Sequence, residues 1–217
     1  MKTEKYIEQK KRLPEEGNHI IGRIEQDNII LYQAFNSQIT KYAVGSQKFG
    51  GPNYSFNRMS WIKPGFLWMM YRAGWASKEN QQHILAITLP IVHFKKILTQ
   101  ATITSYDPQL FGTEKEWKTE LEKTEVRLQW DPDHDPFGAK EKRKAVQIGM
   151  KGEILKKFCT DWLIKIEDIT GFVKDEYTKV LKHDLNELMV PYEQILSLRD
   201  PEIEKRIGVN SISNEQK

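Results

Sequence analysis

The chain has 217 residues, a length that suits one domain with short terminal segments. Its 39% hydrophobic content is ordinary for a globular protein, and no apolar run is long enough to cross a bilayer, so we expect no membrane partner. The net charge of +3 is too small to indicate nucleic-acid binding by itself. The single cysteine, Cys159, excludes an internal disulfide, and the polar N-terminus lacks signal-peptide character, so a cytoplasmic protein is expected.

The two ends of the chain differ in composition from its middle. Residues 1–18 and 199–217 are charged and poor in aromatic side chains, and we predict that they form a flexible N-terminal arm and a flexible C-terminal tail. Residues 19–198 are predicted to form a single α+β domain.

The first half of that domain alternates strand and helix signals. Residues 28–35 (NIILYQAF) form a β-rich apolar run, and Asn36 then suits the N-cap of a helix. A second buried strand is predicted over 83–89 (HILAITL), and Pro90 suits the first turn of the helix that follows.

The second half carries further strands. Thr113-x-x-Glu116 is a capping-box pattern that predicts a helix start. We predict strands over 125–130 and 144–150, a loop over 131–138 (DPDHDPFG), and mostly helix over 172–198. Because strands and helices mix without a regular βαβ rhythm, the pattern favours an α+β fold with a mixed or split antiparallel sheet flanked by helices.

Three tryptophans, Trp61, Trp68 and Trp75, lie seven residues apart in the segment NRMSWIKPGFLWMMYRAGW. Pro64 can open a helix and Gly74 can close it, so the three do not form one helical stripe. The helix between them is apolar all round, which is typical of a buried helix and predicts that Trp68 lies in the core. Trp61 and Trp75 lie outside it and are either cleft walls or packing residues.

Three cations accompany these aromatic residues: Arg58, Lys63 and Arg72. Beside so much apolar surface they must extend to solvent, pair with acids or receive an anionic ligand. We predict them as ligand-binding residues.

A cluster of acids occupies residues 131–135 (DPDHD). Calcium-loop geometry is excluded because Pro136 stands where that loop needs glycine and Lys142 where it needs glutamate. Asp133 and His134 remain candidates for moving protons, and two of the acids could hold a divalent metal. The alternative is a stiff turn in which the aspartates cap the backbone.

Residues 139–157 carry seven positive and two negative side chains. This local charge of +5 indicates either a solvated face or a phosphate-binding surface.

Several of these phrases together resemble the uncharacterised family called domain of unknown function 4291. They are ILYQAFN, KFGGP-x-YSFNRMSWIKPGFLWMMYRAGW, ILAI, VRLQWDPDHDPFG and AVQIGM, and they span roughly residues 20–190. The resemblance implies membership of that family and no particular activity.

The order of elements is also similar to the ADP-ribosyltransferase fold, in which NAD lies in the cleft of a split sheet. This resemblance implies NAD as a cofactor. It places Tyr32 where many members have a first-strand histidine or arginine, and Tyr54 near the aromatic residue that stacks on nicotinamide. Gln147 is the polar residue nearest to the position of the late-strand glutamate.

Three functional hypotheses follow. The first is an enzyme acting on a nucleotide or nucleic acid by ADP-ribosyl or phosphate transfer, with the three cations on phosphate, Trp61 and Tyr54 on a base, and Asp133, His134 or Tyr32 in catalysis. In it, Asp133→Ala should abolish turnover while the melting temperature changes little. The second is a non-catalytic RNA-binding module with stacking aromatics and a basic patch. A protein-interaction domain with purely structural aromatics is a third alternative.

Overall fold

A computed structural model describes residues 1–210; the last seven residues of the predicted tail lie outside the described range. In chain order, the strands are β1 (Thr3–Lys5), β2 (Ile21–Gly22), β3 (Ile24–Glu25), β4 (Asn28–Phe35), β5 (Ser60–Ile62), β6 (His83–Pro90), β7 (Ala101–Ile103), β8 (Val126–His134), β9 (Lys140–Met150), β10 (Lys165–Asp168), β11 (Met189–Pro191) and β12 (Gln194–Ile195). The helices are α1 (Tyr6–Arg12), α2 (Ser37–Ser46), α3 (Phe66–Ala73), α4 (Ile91–Leu98), α5 (Glu114–Lys123), α6 (Gly152–Lys157), α7 (Thr170–Leu181) and α8 (Pro201–Ile207), and a π-helical turn (Phe158–Trp162) continues α6.

Two four-stranded sheets organise these elements. The first has the strand order β10-β6-β4-β3 and is antiparallel throughout. The second has the order β5-β9-β8-β7, in which only the β7–β8 pair is parallel. The predicted α+β class is confirmed. No helix within residues 1–210 has the length and apolar character needed to cross a membrane.

The first sheet is buried on both faces, and each face belongs to a separate hydrophobic cluster. Ile29 and Leu31 of β4 pack with Leu128 and Ile148 of the second sheet. The neighbouring Tyr32, together with Ile30, packs instead with side chains of α3 and α7. The alternation of a β-strand thus separates the two clusters, and a continuous apolar run such as NIILYQAF is what a strand buried on both faces requires.

One backbone bridge joins the two sheets. The N–H of Tyr32 donates to the carbonyl oxygen of Lys63 at 2.7 Å, and the N–H of Lys63 donates to the carbonyl oxygen of Tyr32 at 3.1 Å. Lys63 directly follows β5 and precedes Pro64, whose ring favours the extended conformation at Lys63 that this pairing needs. The sheets therefore meet at Tyr32 and Lys63.

Local signals set several boundaries as predicted. The strand at 28–35 is confirmed, and the Asn36 side chain accepts from the N–H of Ile39 at 3.0 Å as the N-cap of α2. The capping box between Thr113 and Glu116 is present at the start of α5. In each case a side chain satisfies a backbone N–H that has no partner within the helix.

The predicted loop at 131–138 is wrong over its first half. Strand β8 continues to His134 and pairs with β9, with an irregularity between Pro132 and His134. Pro132 is tolerated because β7 pairs only with the start of β8, so Pro132 lies at a free edge on that side and its missing N–H costs little. The turn itself is short, and the Asp135 carboxylate holds it by accepting from the N–H of Ala139 at 2.9 Å.

The C-terminal third also differs from its prediction. Helix α7 ends at Leu181, and β11 follows within the range 172–198 that was predicted as mostly helix. Strand β11 pairs with β1, and Tyr6 of the next helix is buried. The segment predicted as an N-terminal arm thus packs against the domain, because β11 offers it a partner strand that its own composition does not reveal.

Candidate functional site

A cleft of about 230 Å³ opens where the two sheets part, next to the Tyr32–Lys63 bridge. It is lined by the ends of β4 and β5, by the segment before β5, and by Met69 of α3. Four of the predicted ligand-binding residues line it together: Tyr54, Arg58, Trp61 and Lys63.

Lys63 is the most unusual group in this cleft. Its residue is only 6% exposed, and its ammonium takes part in no salt bridge within residues 1–210. Burial lowers the pKa of Lys63 to about 8, nearby Arg72 lowers it as well, and Asp131 opposes both. Because a buried cation without a partner is costly, an anion entering the cleft would gain an electrostatic partner there.

The other predicted cations lie near Lys63. Arg58 is exposed and lines the same cleft. Arg72, on α3, is exposed too, and it is near enough to influence the pKa of Lys63. The structure therefore places Arg58 and Lys63 in the cleft, with Lys63 at its buried end, and leaves Arg72 nearby but outside the cleft lining.

Trp61 lies on the second sheet, where β5 pairs with β9. Its cross-strand partner is Gly149, and a Cβ added at Gly149 would lie 2.8 Å from Cε2 of Trp61. The glycine therefore gives the indole room to lie against the sheet. The ring is half-buried, and its position on the cleft wall suits stacking on a planar ligand.

Tyr54, which also lines the cleft, belongs to an aromatic cluster. Its ring stacks on Phe49 with centroids 5.4 Å apart, and its hydroxyl lies 3.4 Å from Sγ of Cys159. Burial raises the pKa of this hydroxyl, as it does the pKa of the Cys159 thiol. Tyr54 is therefore held in place as a neutral, half-buried wall of the cleft.

Gln147 lies on the same face of the second sheet as Trp61 and Lys63. Its side-chain amide donates to Asp131 Oδ2 at 2.9 Å, and the amide of Gln129 donates to Asp131 Oδ1 at 2.8 Å. The direct pairing of Gln129 with Gln147 across β8 and β9 places all of these polar side chains on one face.

Tyr32 does not share the cleft, although its backbone forms the bridge. Its side chain is fully buried on the far face of the first sheet, edge-on to Phe66, and its hydroxyl has no partner among the described residues. Burial raises the pKa of this hydroxyl well above its usual value. The catalytic role predicted for Tyr32 would require access that this position does not provide.

Asp133 and His134 also lie away from the cleft. The Asp133 carboxylate accepts from Nε of Arg143 at 2.7 Å in a buried ion pair. His134 is 2% exposed, its ring stacks on Tyr71 with centroids 3.5 Å apart, and burial lowers its pKa. Within residues 1–210, no three metal-binding side chains come together to hold an ion.

Of the other two tryptophans in the segment NRMSWIKPGFLWMMYRAGW, Trp68 belongs to α3 and Trp75 follows its C-terminal end. Trp68 is buried, as predicted, and stacks on Tyr71 with centroids 5.6 Å apart. Trp75 is 6% exposed, and its Nε1 donates to the carbonyl oxygen of Pro136 at 3.1 Å. Of the two tryptophans considered as cleft walls, only Trp61 lines this cleft.

Sequence reasoning missed Gln33. This residue is 3% exposed, and its side-chain amide donates to Ser60 Oγ at 2.9 Å and to the carbonyl oxygen of Trp61 at 3.1 Å. It therefore ties β4 to β5 beyond the bridge and fixes the width of the cleft. A polar residue inside the apolar run NIILYQAF was the available signal, since buried polar groups need specific partners.

Together these features define an α+β protein whose two sheets part around a basic and aromatic cleft. The chain belongs to the family described as Domain of unknown function (DUF4291), whose family model matches residues 19–196. No curated protein sequence matches it.

Proposed function

We propose that the protein is an enzyme that binds a nucleotide, alone or at the end of a nucleic acid, in the cleft between the sheets and transfers a group from it. The observation that carries this proposal is that Lys63, buried and without a salt-bridge partner within residues 1–210, shares the cleft with Trp61. A cation and an aromatic face together match the two parts of a nucleotide, the phosphate and the base.

The phosphate position is assigned to the buried end of the cleft. Lys63 supplies a point charge there, and Arg58, which is exposed and lines the same cleft, supplies a planar guanidinium that can bind phosphate oxygens in pairs. An incoming phosphate would relieve the cost of burying Lys63, so the same charge binds more strongly here than on an exposed surface.

The base position is assigned to the aromatic walls. Trp61 lies against the sheet at Gly149, and Tyr54 lies against the rings of its aromatic cluster. Both rings are therefore already held in place before a ligand binds. Such preorganisation lowers the entropic cost of stacking.

The transfer reaction is proposed as ADP-ribosyl or phosphate transfer, with NAD as the cofactor in the first case. Support comes from the cleft at the junction of two largely antiparallel sheets, the arrangement that the resemblance to ADP-ribosyltransferases implies. Asp133 and His134 are omitted from this assignment because both lie outside the cleft, Asp133 in an ion pair with Arg143 and His134 buried against Tyr71.

A thermal-shift screen tests the proposal. NAD, ADP and AMP are added at saturating concentration to the wild-type protein and to Lys63→Met, with Lys41→Met on an exposed helix face as the matched control. We expect at least one ligand to raise the melting temperature of the wild type and of the control but not of Lys63→Met. No shift with any ligand, or equal shifts in all three proteins, would contradict the proposal.

A second prediction concerns Gly149→Ala. The added methyl group would lie 2.5 Å from Sδ of Met59 and 2.8 Å from Cε2 of Trp61, two side chains of the cleft wall, so both should be displaced. Nucleotide affinity should then fall by roughly fivefold, the lower end of the value of one base–aromatic stack. Titration calorimetry with the tightest ligand from the screen measures the effect. Gly45→Ala is the control, because a Cβ at Gly45 meets no atom within 4 Å.

The RNA-binding alternative rests on Lys140 and Lys142, which are exposed on β9. Arg143, between them and the rest of the basic segment, is buried against Asp133 and cannot contribute. If the protein were an RNA module, affinity for single-stranded RNA would fall steeply with salt, and Lys142→Ala would reduce that slope. Nucleotide binding that depends on Lys63 and is insensitive to Lys142→Ala would favour the enzyme.

A further inference from the structure

A groove outside the cleft lies between the C-terminal end of α3, the turn from β8 to β9, and the C-terminal end of α7. Its volume is about 330 Å³, and its walls carry five aromatic rings, those of Tyr71, Trp75, Phe137, Tyr177 and His183. Within residues 1–210, seven large hydrophobic side chains are exposed, and three of them line this groove: Tyr71, Phe137 and Leu181. Apolar side chains exposed together are typical of a binding surface, whereas scattered ones need no explanation.

The rings of this groove are held in place by one another. Trp75 stacks on Tyr177 with centroids 5.5 Å apart, and Phe137 stacks on His183 with centroids 5.0 Å apart. His183 has a φ of +58°, a backbone conformation that residues other than glycine adopt rarely and that recurs at functional sites. Phe137 still exposes 47% of its surface, so a planar ligand can pack against it without any prior rearrangement.

Three lysines lie around the groove and take part in no salt bridge within residues 1–210: Lys78, Lys140 and Lys182. Lys78 Nζ lies 5.9 Å from the centre of the Tyr71 ring, where it donates to the carbonyl oxygen of Arg72 at 2.8 Å. Lys140 follows the turn as the first residue of β9, and Lys182 is the C-cap of α7. An ammonium has three donors, so each lysine can still bind an anion.

Fewer acids lie at this rim. Asp135 lines the groove, but its carboxylate accepts from backbone N–H groups of the turn at 2.9 Å and so stabilises the turn. The exposed acids that follow two of the lysines in sequence are Glu79 and Asp184. With Arg72 included, four exposed cations stand against these two acids. A positive rim around aromatic rings matches a strand of bases joined by phosphates better than it matches an aliphatic peptide.

Helix α3 connects this groove to the cleft between the sheets. Met69 lines the cleft, and Tyr71, two residues on, lines the groove. The guanidinium carbon of Arg72 lies 6.0 Å from the ring of Trp68, on which Tyr71 also stacks, and Arg72 is near enough to Lys63 to lower its pKa. Arg72 is thus a neighbour of both sites.

We propose that the substrate of the cleft is the end of a single-stranded nucleic acid, and that the bases next to the terminal nucleotide stack on the rings of this groove. Arg72 contacts the phosphate that joins the two parts, and the lysines of the rim contact those that follow. The inference rests on the proposed function, since it takes the terminal nucleotide at Trp61 and Lys63 as given. It adds the class of substrate and a second binding surface.

The test measures the affinity for ADP and for a single strand of about eight nucleotides, made as RNA and as DNA of the same sequence, by titration calorimetry. Three proteins are compared: wild type, Phe137→Ala, and the matched control Tyr42→Ala, which removes a ring of similar exposure (44%) from α2. The wild type and the control should bind at least one strand more tightly than ADP, and the tighter strand identifies the sugar. Phe137→Ala should lower that affinity by roughly fivefold, the lower end of the value of one stacked base, and leave the affinity for ADP unchanged.

A second variant keeps the test decisive if Phe137→Ala does not fold. Affinity for the strand should fall steeply as the salt concentration rises, and Lys182→Met should reduce the slope of that dependence by about one phosphate contact. Lys41→Met, on an exposed face of α2, should leave the slope as it is in the wild type.

The outcomes separate this inference from the proposed function. If the wild type bound ADP but neither strand more tightly, or if Phe137→Ala and Lys182→Met both behaved as the wild type, the role of the groove would be overturned and nucleotide binding in the cleft would stand. A protein segment would then be the better candidate for the groove. If the wild type bound neither ADP nor a strand, the proposed function would fall and this inference with it.

Discussion

Replacing Asp133 with alanine is expected to lower the free energy of unfolding by roughly 3–5 kcal/mol, the cost of leaving one partner of a buried ion pair unpaired. The side chain of Arg143 is 7% exposed and that of Asp133 is 13% exposed, so the variant leaves the Arg143 guanidinium largely buried without its ion-pair partner. Asp133 also accepts from the N–H of His134 at 2.8 Å and so holds the backbone at the irregular end of β8.

Chemical denaturation of Asp133→Ala measures this effect. The double variant Asp133→Ala/Arg143→Leu should recover much of the lost stability, because it removes the unpaired charge as well. The hypothesis that Asp133 moves protons predicts the opposite result, in which the melting temperature hardly changes and turnover is lost. That result would contradict the structural role assigned here.

Glu193→Gln should change how stability depends on pH. Glu193 is buried beneath α3, where its Oε1 accepts from the N–H of Phe66 at 2.7 Å. Burial raises the pKa of this carboxyl to about 8, against the opposing effects of the Phe66 hydrogen bond and of Arg143; Asp133 and Glu4 raise it further.

The sign of this pH dependence follows from the number of protons that the folded and the unfolded protein bind. Between the ordinary glutamate pKa of about 4.5 and the folded value of about 8, the folded protein holds a proton that the unfolded chain releases, so Glu193 makes stability fall as pH rises through this window. Glutamine imitates the protonated acid at every pH. Glu193→Gln should therefore resemble the wild type at pH 5 and exceed its stability at pH 9 by an amount on the order of 5 kcal/mol.

Urea denaturation at pH 5, 7 and 9 measures the difference. Glu187→Gln serves as the control. The Glu187 carboxylate is exposed, and its salt bridge with Lys5 lies on the surface and contributes little to stability. Parallel pH profiles for the wild type and Glu193→Gln would show that Glu193 is ionised in the folded protein and would refute this prediction.

Local chemistry made part of this structure predictable. Pro64 and Gly74 lie just outside the two ends of α3, where Gly74 takes the left-handed conformation of a helix C-cap. Trp61 and Lys63 are two residues apart in an extended segment, so they share one face wherever that segment pairs. These inferences need only neighbouring residues, and they located the two central side chains of the cleft.

Other features depended on pairings between distant segments. Asp133 looked like a catalytic acid because its partner, Arg143, lies across a hairpin whose register the sequence does not state. Gln129 and Asp131 lie two residues apart on β8, so both face the polar side of the sheet. Assigning a loop at Asp131 concealed that relation. The bridge between Tyr32 and Lys63 joins two sheets and has no local signal at all.

The central claim, that a nucleotide phosphate meets Lys63 in the cleft, is tested most directly by proton uptake on binding. The pKa of Lys63 is about 8, so much of its amine is neutral at pH 8.5, and a bound phosphate should raise that pKa and draw a proton from the buffer. Calorimetry with ADP at pH 8.5, in two buffers of different ionisation enthalpy, measures the uptake. The wild type should take up a substantial fraction of a proton, whereas Lys63→Met should bind more weakly and take up none. Binding without uptake in the wild type, or unchanged affinity and uptake in Lys63→Met, would contradict the claim.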